Sequence, residues 1–401
     1  MVAHTPPRTG WASDRRTYLD NLKVLLIGAI IAIHGVLGYV GSDQYWSYAD
    51  VQETTLNPVT ELGLAVLAVP FGLFVIALLF LVAGLLTPPS FRRKGARRFV
   101  VDRLLRLGVP FALFTFVLWP ALMYALYHPF GAAPGSFWDE YLSDEGYVDT
   151  AHLWFLGVLL VFSLGYAGFA SMRRRPTTLP STGDPRPATE DRRPATDGAI
   201  RVARLAVLVA LTAAATFLVR LAFPYGSEWF ADLNFWEWPG CLALFGLGIV
   251  ASEHGWLAEV PRRVDRAARA ITLVAAVAAA VLLFVAVRSG LMGELWGGWT
   301  WPALAFVAVE STLMVFGSVW LLGAAQRRLA RPVRGGDVLG RSAYGAFLLQ
   351  GFVLIGLAVA LRPLDVPAEL KAIVVAAGGV AGSFALAWLL VSRVPWLARI
   401  I

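Results

Sequence analysis

The chain alternates long apolar blocks with short charged or Pro/Gly-rich stretches. A helix that crosses a bilayer needs about 20 mostly apolar residues. Blocks of about that length lie at 22–40, 61–86, 107–127, 152–171, 205–222, 237–252, 271–288, 301–323, 342–361 and 371–392. The pattern predicts an all-α, polytopic integral membrane bundle of about ten transmembrane helices, and we expect residues 1–401 to form a single domain.

The composition supports a membrane protein. Hydrophobic residues make up 58% of the 401 positions and charged residues 15%. A soluble domain this apolar could not cover its surface with polar groups. One segment differs, because residues 172–204 are rich in Pro, Thr, Asp and Arg. Such a composition cannot bury enough apolar area to fold, so we expect a flexible cytoplasmic linker there.

The basic residues predict the orientation in the membrane. Lys and Arg near helix ends are retained on the cytoplasmic side. With the N-terminus inside, the outer segments hold only Arg220, Arg288, Arg362 and Lys371 of the 34 Lys and Arg residues. This distribution favours N-in and C-in. The net charge of +7 is spread over the inner segments instead of forming a basic domain. We therefore expect no nucleic-acid partner.

Cysteine and histidine usage argues against a metal centre. The single cysteine, Cys241, excludes an intrachain disulfide and a thiolate cluster. His34, His128 and His152 do not have the spacing of metal ligands. We therefore expect no metal site.

Polar side chains inside a membrane are costly, so they are candidate functional groups. His34 lies past the midpoint of the first block, among isoleucines. Lys23 precedes it by eleven residues, which places both on one helix face, about 16 Å apart along the axis. Asp20 falls near the same stripe. Alternatively, Lys23 extends to the membrane surface and His34 hydrogen-bonds a neighbouring helix.

A pair of arginines precedes the third block. Arg103 and Arg106 are one helical turn apart and continue directly into apolar sequence. Two guanidiniums at a membrane surface suit bidentate contact with phosphates. An RxxR pair at the start of a helix is common, so the motif alone is weak.

These features belong to a set of phrases that resembles one known family. The phrases are YLDNLKV from Tyr18 with His34, LVAGL from Leu81, Phe99–Pro110, HLWFL from His152 and SAYGAFLLQ from Ser342. Together and in this order they resemble the membrane acyltransferase 3 family, and YLDNLK resembles its glucan-succinylation branch. Two positions depart from the family pattern: Lys23 replaces an arginine, and Gln350 replaces a histidine that could transfer protons.

The resemblance implies an O-acyltransferase in a bacterial inner or plasma membrane. Its co-substrate would be a cytoplasmic thioester, usually acyl-CoA, with no permanently bound cofactor. The acceptor would be a hydroxyl of an envelope glycan or a related small molecule. Lys23, Arg103 and Arg106 would bind CoA phosphates. His34, as neutral imidazole, would act as the general base on the acceptor hydroxyl.

Further polar residues are weaker candidates. Glu310 lies at membrane depth in the eighth block. It would orient His34 or stabilise a developing charge, or be protonated, or pair with a polar group on another helix. His152 would line the acceptor entrance or be structural. The remaining candidates for contacts on the substrate side are Asp20, Glu61, Tyr344 and Gln350.

A transporter or flippase of a glycan precursor is the main alternative function, because many-helix bundles with sparse buried charge fit both classes. Transporters more often have paired discontinuous helices and internal repeats, which the pattern does not indicate. A third alternative is a non-catalytic membrane sensor, which the changes at Lys23 and Gln350 leave open. Turnover of an acyl thioester separates the enzyme from the other two. The sequence does not indicate the oligomeric state.

Overall fold

The structure is a computed structural model that describes residues 11–41, 47–143, 148–173, 200–227, 232–256 and 259–394. Within these ranges the chain is predominantly helical and contains no strand. The architecture is therefore the all-α bundle that the hydrophobic pattern predicts.

Ten helices in the described part of the chain are long and apolar enough to cross a membrane. They are α1 (Thr17–Leu37), α2 (Gly72–Lys94), α3 (Ala96–Phe130), α4 (Ala151–Arg173), α5 (Val202–Arg220), α6 (Phe235–His254), α7 (Arg262–Ser289), α8 (Trp301–Arg328), α9 (Gly336–Leu361) and α10 (Ala368–Arg393). The helices that contain the first two spans extend further, over Trp11–Leu37 and Pro58–Lys94. The predicted number of helices is confirmed, and the chain is a multi-pass membrane protein.

Several helix ends lie outside the predicted blocks. α3 begins at Ala96, so Arg103 and Arg106 lie within the helix instead of before it. The basic residues continue the helix because Arg and Lys are good helix formers. The predicted linker 172–204 is shorter at both ends, since α4 continues to Arg173 and α5 begins at Val202. Residues 174–199 lie outside the described ranges.

Polar contacts join the helices at two opposite ends of the bundle. At the start of α1, the Asn21 amide donates to the carbonyl of Leu329, just after α8. Beyond the other end of α1, Glu53 forms an ion pair with Lys371 at the start of α10, with 2.6 Å between Oε1 and Nζ. The start of α1 and the end of α8 therefore lie at one end of the bundle, and the end of α1 and the start of α10 lie at the other. Which face meets the cytoplasm stays a prediction from the basic residues.

Glycines allow a very close contact between α2 and α6. A Cβ at Gly84 would lie 2.2 Å from the Phe245 carbonyl oxygen, and one at Gly248 would lie 2.3 Å from that of Leu81. Both are impossible distances, so only glycine permits this approach. Small residues at helix interfaces are typical of membrane bundles. α1 packs in turn against α9 and α10, which positions the His34 face.

In the described ranges, three five-residue π-helical turns interrupt the α-helices: Leu104–Gly108 and Phe114–Leu118 in α3, and Leu313–Gly317 in α8. Such turns release backbone groups from the regular hydrogen-bond ladder and are frequent at functional sites. In the first of them, the carbonyl of Arg106 accepts a hydrogen bond from the Tyr344 hydroxyl of α9. The contact fixes α9 against the arginine-bearing turn of α3.

Candidate active site

His34 on α1 contacts Gln350 on α9. The imidazole Nδ1 lies 2.9 Å from the Gln350 amide oxygen Oε1. Gln350 is fully buried, and His34 as a whole residue is intermediate in burial. The Gln350 amide nitrogen donates to the Phe347 carbonyl at 3.1 Å. Two residues that the sequence places in separate roles, base and substrate contact, are therefore direct neighbours.

His152 is the second imidazole of the site. Its ring centroid lies 6.3 Å from that of His34, and its side chain is buried. Aromatic rings surround it at centroid distances of 5.0 Å for Phe114, 6.1 Å for Trp119 and 5.6 Å for Phe347. The site is thus built where α1, α3, α4 and α9 meet. Sequence reasoning missed the aromatic wall, because its members look like any other apolar residues of a membrane helix.

The absence of a side chain at Gly351 brings these helices together. A Cβ at this position would lie 3.1 Å from the Trp119 ring and 3.2 Å from the His152 ring. Gly351 directly follows Gln350, so α9 is in contact with α3 and α4 at the turn that holds the Gln350 amide. Tight packing on both sides leaves this turn little freedom to move.

Arg103 and Arg106 lie on α3, in and beside its first π-helical turn. The Arg103 guanidinium lies over the Phe99 ring, 4.9 Å from its centroid. Arg106 is half-exposed, and its Nε lies 3.3 Å from Asp102, whose other oxygen pairs with Lys94 at 2.7 Å. The candidates selected from the sequence did not include Asp102. Asp102 is the one acidic residue among the many basic residues of 92–106, and this isolation could have indicated it as a partner of the arginines.

Arg106 connects the basic end of α3 to the histidine site. Tyr344 donates to the Arg106 carbonyl, and Gln350 lies six residues further along the same helix. That separation is about 9 Å along the axis. The backbone of Arg106 and the His34 imidazole are therefore both in contact with α9.

Lys23 and Asp20 form an ion pair with each other. The Lys23 Nζ lies 2.6 Å from an Asp20 carboxylate oxygen, and both side chains are partly exposed. Lys23 lies eleven residues before His34 on α1, and Asp20 lies one turn further towards the N-terminus. The charge of Lys23 is therefore partly compensated at this end of the bundle, and a contact of either residue with substrate stays a prediction.

Glu310 forms a buried ion pair with Arg220, which joins α8 to α5. Each carboxylate oxygen lies 2.9 Å from a guanidinium nitrogen, and both residues are only 1% exposed. Of the alternatives for Glu310, the structure shows the one in which it pairs with another helix. The contact to His34 Nδ1 is made by Gln350, and a catalytic role of Glu310 stays a prediction.

Arg220 is the member of this pair that the sequence does not indicate as a candidate site residue. In the sequence it is one of the few basic residues of the outer segments, and in the structure it is the last residue of α5 and is buried. The rings of Tyr225, Trp236 and Phe306 surround its guanidinium at 5.0–5.6 Å. A basic residue at the end of an apolar block looks the same in sequence whether it meets water or a buried acid.

Polar contacts cover the end of the bundle nearest His34. Glu61 accepts a hydrogen bond from the Gly41 backbone amide, which ties the start of the second helix to the end of α1. Nearby, Tyr48 donates to Glu53 at 2.6 Å. Burial alone would raise the pKa of Glu53, but hydrogen bonds from Lys371 and Tyr48 outweigh it and lower the pKa below its usual value. A substrate contact of Glu61 stays a prediction.

Comparison with known proteins identifies the chain by family alone. A family model described as an acyltransferase domain matches residues 16–392. The match covers nearly the whole chain, including α1, α3, α4 and α9. No curated protein and no solved structure matches the chain.

Proposed function

The chain belongs to the membrane acyltransferase family whose domain spans residues 16–392, and from this premise we propose that it transfers an acyl group from a thioester to a hydroxyl. The donor is acyl-CoA or a similar cytoplasmic thioester, and the acceptor is an envelope glycan or a related molecule. One observation supports this most directly. An imidazole oriented by Gln350, His34, lies on α1, and α9, which carries Gln350, also contacts the turn of α3 that carries Arg106.

The arginine end of α3 suits the nucleotide part of the donor. Arg103 and Arg106 present two fixed positive charges, and guanidiniums form strong bidentate hydrogen bonds with phosphates. Lys23 adds a third cation and lies about 16 Å from His34 along α1. A pantetheine arm extending from phosphates bound there would bring its thioester towards His34.

His34 supplies the base that acyl transfer needs. A neutral imidazole accepts the proton of the acceptor hydroxyl as the oxygen attacks the thioester carbonyl carbon. The ester C–O bond forms, the C–S bond breaks, and the proton passes from His34 to the departing thiolate. The net products are an ester and a free thiol. The aromatic rings around His152 exclude water at this point, which disfavours hydrolysis of the thioester.

The basic residues favour the arginine end as the cytoplasmic end, where acyl thioesters are made. His34 lies only three residues before the opposite end of α1. An acceptor in the outer half of the membrane or beyond it would then reach the histidine from that side. We propose a bacterial inner or plasma membrane as the location.

The test is thioester turnover by the purified protein in proteoliposomes, with acyl-CoA on one side and an envelope glycan extract as acceptor. We expect release of free thiol with the wild type and a loss of about 10²–10⁴-fold in His34→Ala, the usual contribution of a general base. His128→Ala is the matched control, since His128 is exposed and contacts Ala133 in the loop after α3. A wild type that moves glycan across the membrane without releasing thiol would support a transporter instead.

The donor site has its own test in the same assay. Arg103→Gln and Arg106→Gln should each raise the KM for acyl-CoA by about 10- to 100-fold, because one charge-assisted hydrogen bond contributes about 1.5–3 kcal/mol. Arg97→Gln is the control, since Arg97 is an exposed arginine of the same helix. Equal KM values for all three variants would remove the arginine pair from donor binding.

A further inference from the structure

We propose that Gln350 is a positioning residue that holds His34 in the tautomer with the proton on Nδ1, so that Nε2 is the atom that accepts the substrate proton. The inference rests on the proposed role of His34 as the base. The sequence indicates that Gln350 contacts substrate and that it replaces a histidine able to transfer protons. The inference instead gives Gln350 the role of orienting His34.

The first step is the orientation of the Gln350 amide. Its nitrogen Nε2 donates to the Phe347 carbonyl at 3.1 Å, within its own helix. A carbonyl oxygen only accepts hydrogen bonds, so the –NH₂ group must face Phe347. The amide oxygen Oε1 therefore faces His34, and the two ends of the amide cannot be exchanged without losing a buried hydrogen bond.

The second step is the proton on the imidazole. Oε1 is an acceptor, so the His34 nitrogen 2.9 Å away must carry the hydrogen. A neutral imidazole has only one N–H, and with Nδ1 protonated its lone pair is on Nε2. The basic atom of the ring thus points away from Gln350. When Nε2 takes a proton, Nδ1–H still donates to the same oxygen, so the ring need not rotate during the reaction.

The third step is rigidity. Gln350 is fully buried, and Gly351 beside it packs against the rings of Trp119 and His152. A glutamine does not titrate, so its acceptor stays in place at every pH. Partners that orient metal-ligating histidines affect activity by about 10- to 100-fold when changed, and we expect an effect of the same order for Gln350.

The experiment compares Gln350→Glu with Gln350→Leu in the thioester assay across pH. Glu keeps an acceptor towards Nδ1, and Leu keeps the bulk without it. We expect Gln350→Leu to lose about 10- to 100-fold in kcat with an unchanged KM for acyl-CoA. Gln350→Glu should retain turnover at alkaline pH, with the acidic limb of its pH profile moved to higher pH, because a carboxylate stabilises the protonated imidazole.

A purely structural role for Gln350 predicts the opposite order, because a buried apolar side chain is tolerated better than a buried charge. Full activity of Gln350→Leu, or an unmoved acidic limb in Gln350→Glu, would overturn the proposal. Should Gln350→Glu fail to fold, Gln350→Met provides a second apolar side chain, unbranched like glutamine, with the same expectation as Leu.

A spectroscopic measurement separates this inference from the proposed function. In protein labelled with ¹⁵N-histidine, the wild type should show His34 protonated at Nδ1, and Gln350→Leu should lose that preference. His34→Ala identifies the signal. If His34→Ala keeps full turnover while the tautomer depends on Gln350, the proposed function fails and the positioning stands. An Nε2-protonated ring in the wild type contradicts the positioning whatever the activity.

Discussion

Arg220 and Glu310 form an ion pair within the membrane, where neither charge can be solvated. Removing one partner of a buried pair leaves the other charge uncompensated and costs about 3–5 kcal/mol. We expect Glu310→Gln to lower the thermal unfolding temperature clearly in detergent, and Arg220→Met combined with Glu310→Leu to recover much of the loss. Arg288→Gln is the control, since Arg288 is exposed at the end of α7.

This comparison also decides whether Glu310 takes part in the chemistry. A Glu310→Gln protein that melts like the wild type but has lost thioester turnover would contradict the structural role. It would return Glu310 to the active site. A protein that loses stability first, with activity falling in proportion to the folded fraction, supports the role as a link between α5 and α8.

At the scale of residues, the sequence indicated the polar groups but not their partners. His34, Gln350 and His152 could each be selected as polar positions in apolar or motif-bearing segments. That the first two are hydrogen-bonded could not be predicted, because they are 316 residues apart in the chain. The ion pair of Arg220 could not be predicted for the same reason, since Glu310 lies 90 residues away.

At the scale of helices, the contact between α2 and α6 depends on glycine at particular positions. Gly248→Ala would place a methyl group 2.3 Å from the Leu81 carbonyl oxygen, so the two helices would have to separate. Overpacking of this kind costs about 1–3 kcal/mol. We expect a lower unfolding temperature and a smaller yield of monodisperse protein.

Gly246 offers a control two residues away on the same helix. A Cβ there meets nothing within 4 Å, so Gly246→Ala should be neutral or slightly stabilising, by up to about 1 kcal/mol, through helix propensity. Equal unfolding temperatures for the two alanine variants would show that the α2–α6 contact is looser than the structure describes.

The number of helices was predictable because a bilayer-spanning segment has a required length and an apolar composition. Helix ends were less predictable. For example, α3 begins at Ala96 and includes basic residues that a hydrophobicity pattern does not assign to a transmembrane helix. The π-helical turns could not be predicted either. Leu104–Gly108 differs from an α-helical turn in its hydrogen bonds, and these follow from contacts with other helices rather than from local composition.

At the scale of the whole molecule, the segment between α1 and α2 is held to α9 and α10 by Glu53. The pKa of Glu53 is lowered in the folded protein, since hydrogen bonds from Lys371 and Tyr48 outweigh the effect of burial. A lowered pKa contributes stability that is complete above the ordinary carboxyl value of about 4.3 and is lost as the pH falls through the folded value.

Glu53→Gln should therefore unfold at a lower temperature than the wild type at pH 7. The difference should shrink as the pH falls below about 4, where the wild-type carboxylate becomes protonated. Asp365→Asn, on the exposed turn between α9 and α10, is the control. Thermal unfolding followed by tryptophan fluorescence checks the prediction, and a difference between Glu53→Gln and wild type that persists unchanged at low pH would contradict it.

The central claim concerns the whole protein in its membrane: acyl transfer to an envelope hydroxyl through His34. The most direct measurement is mass spectrometry of envelope glycans from cells that lack the protein and carry the wild type, His34→Ala or His128→Ala at equal levels. We predict an acyl-ester mass increment with the wild type and His128→Ala that is absent with His34→Ala, and its size identifies the acyl group. The same ester content with His34→Ala as with the wild type would contradict the account.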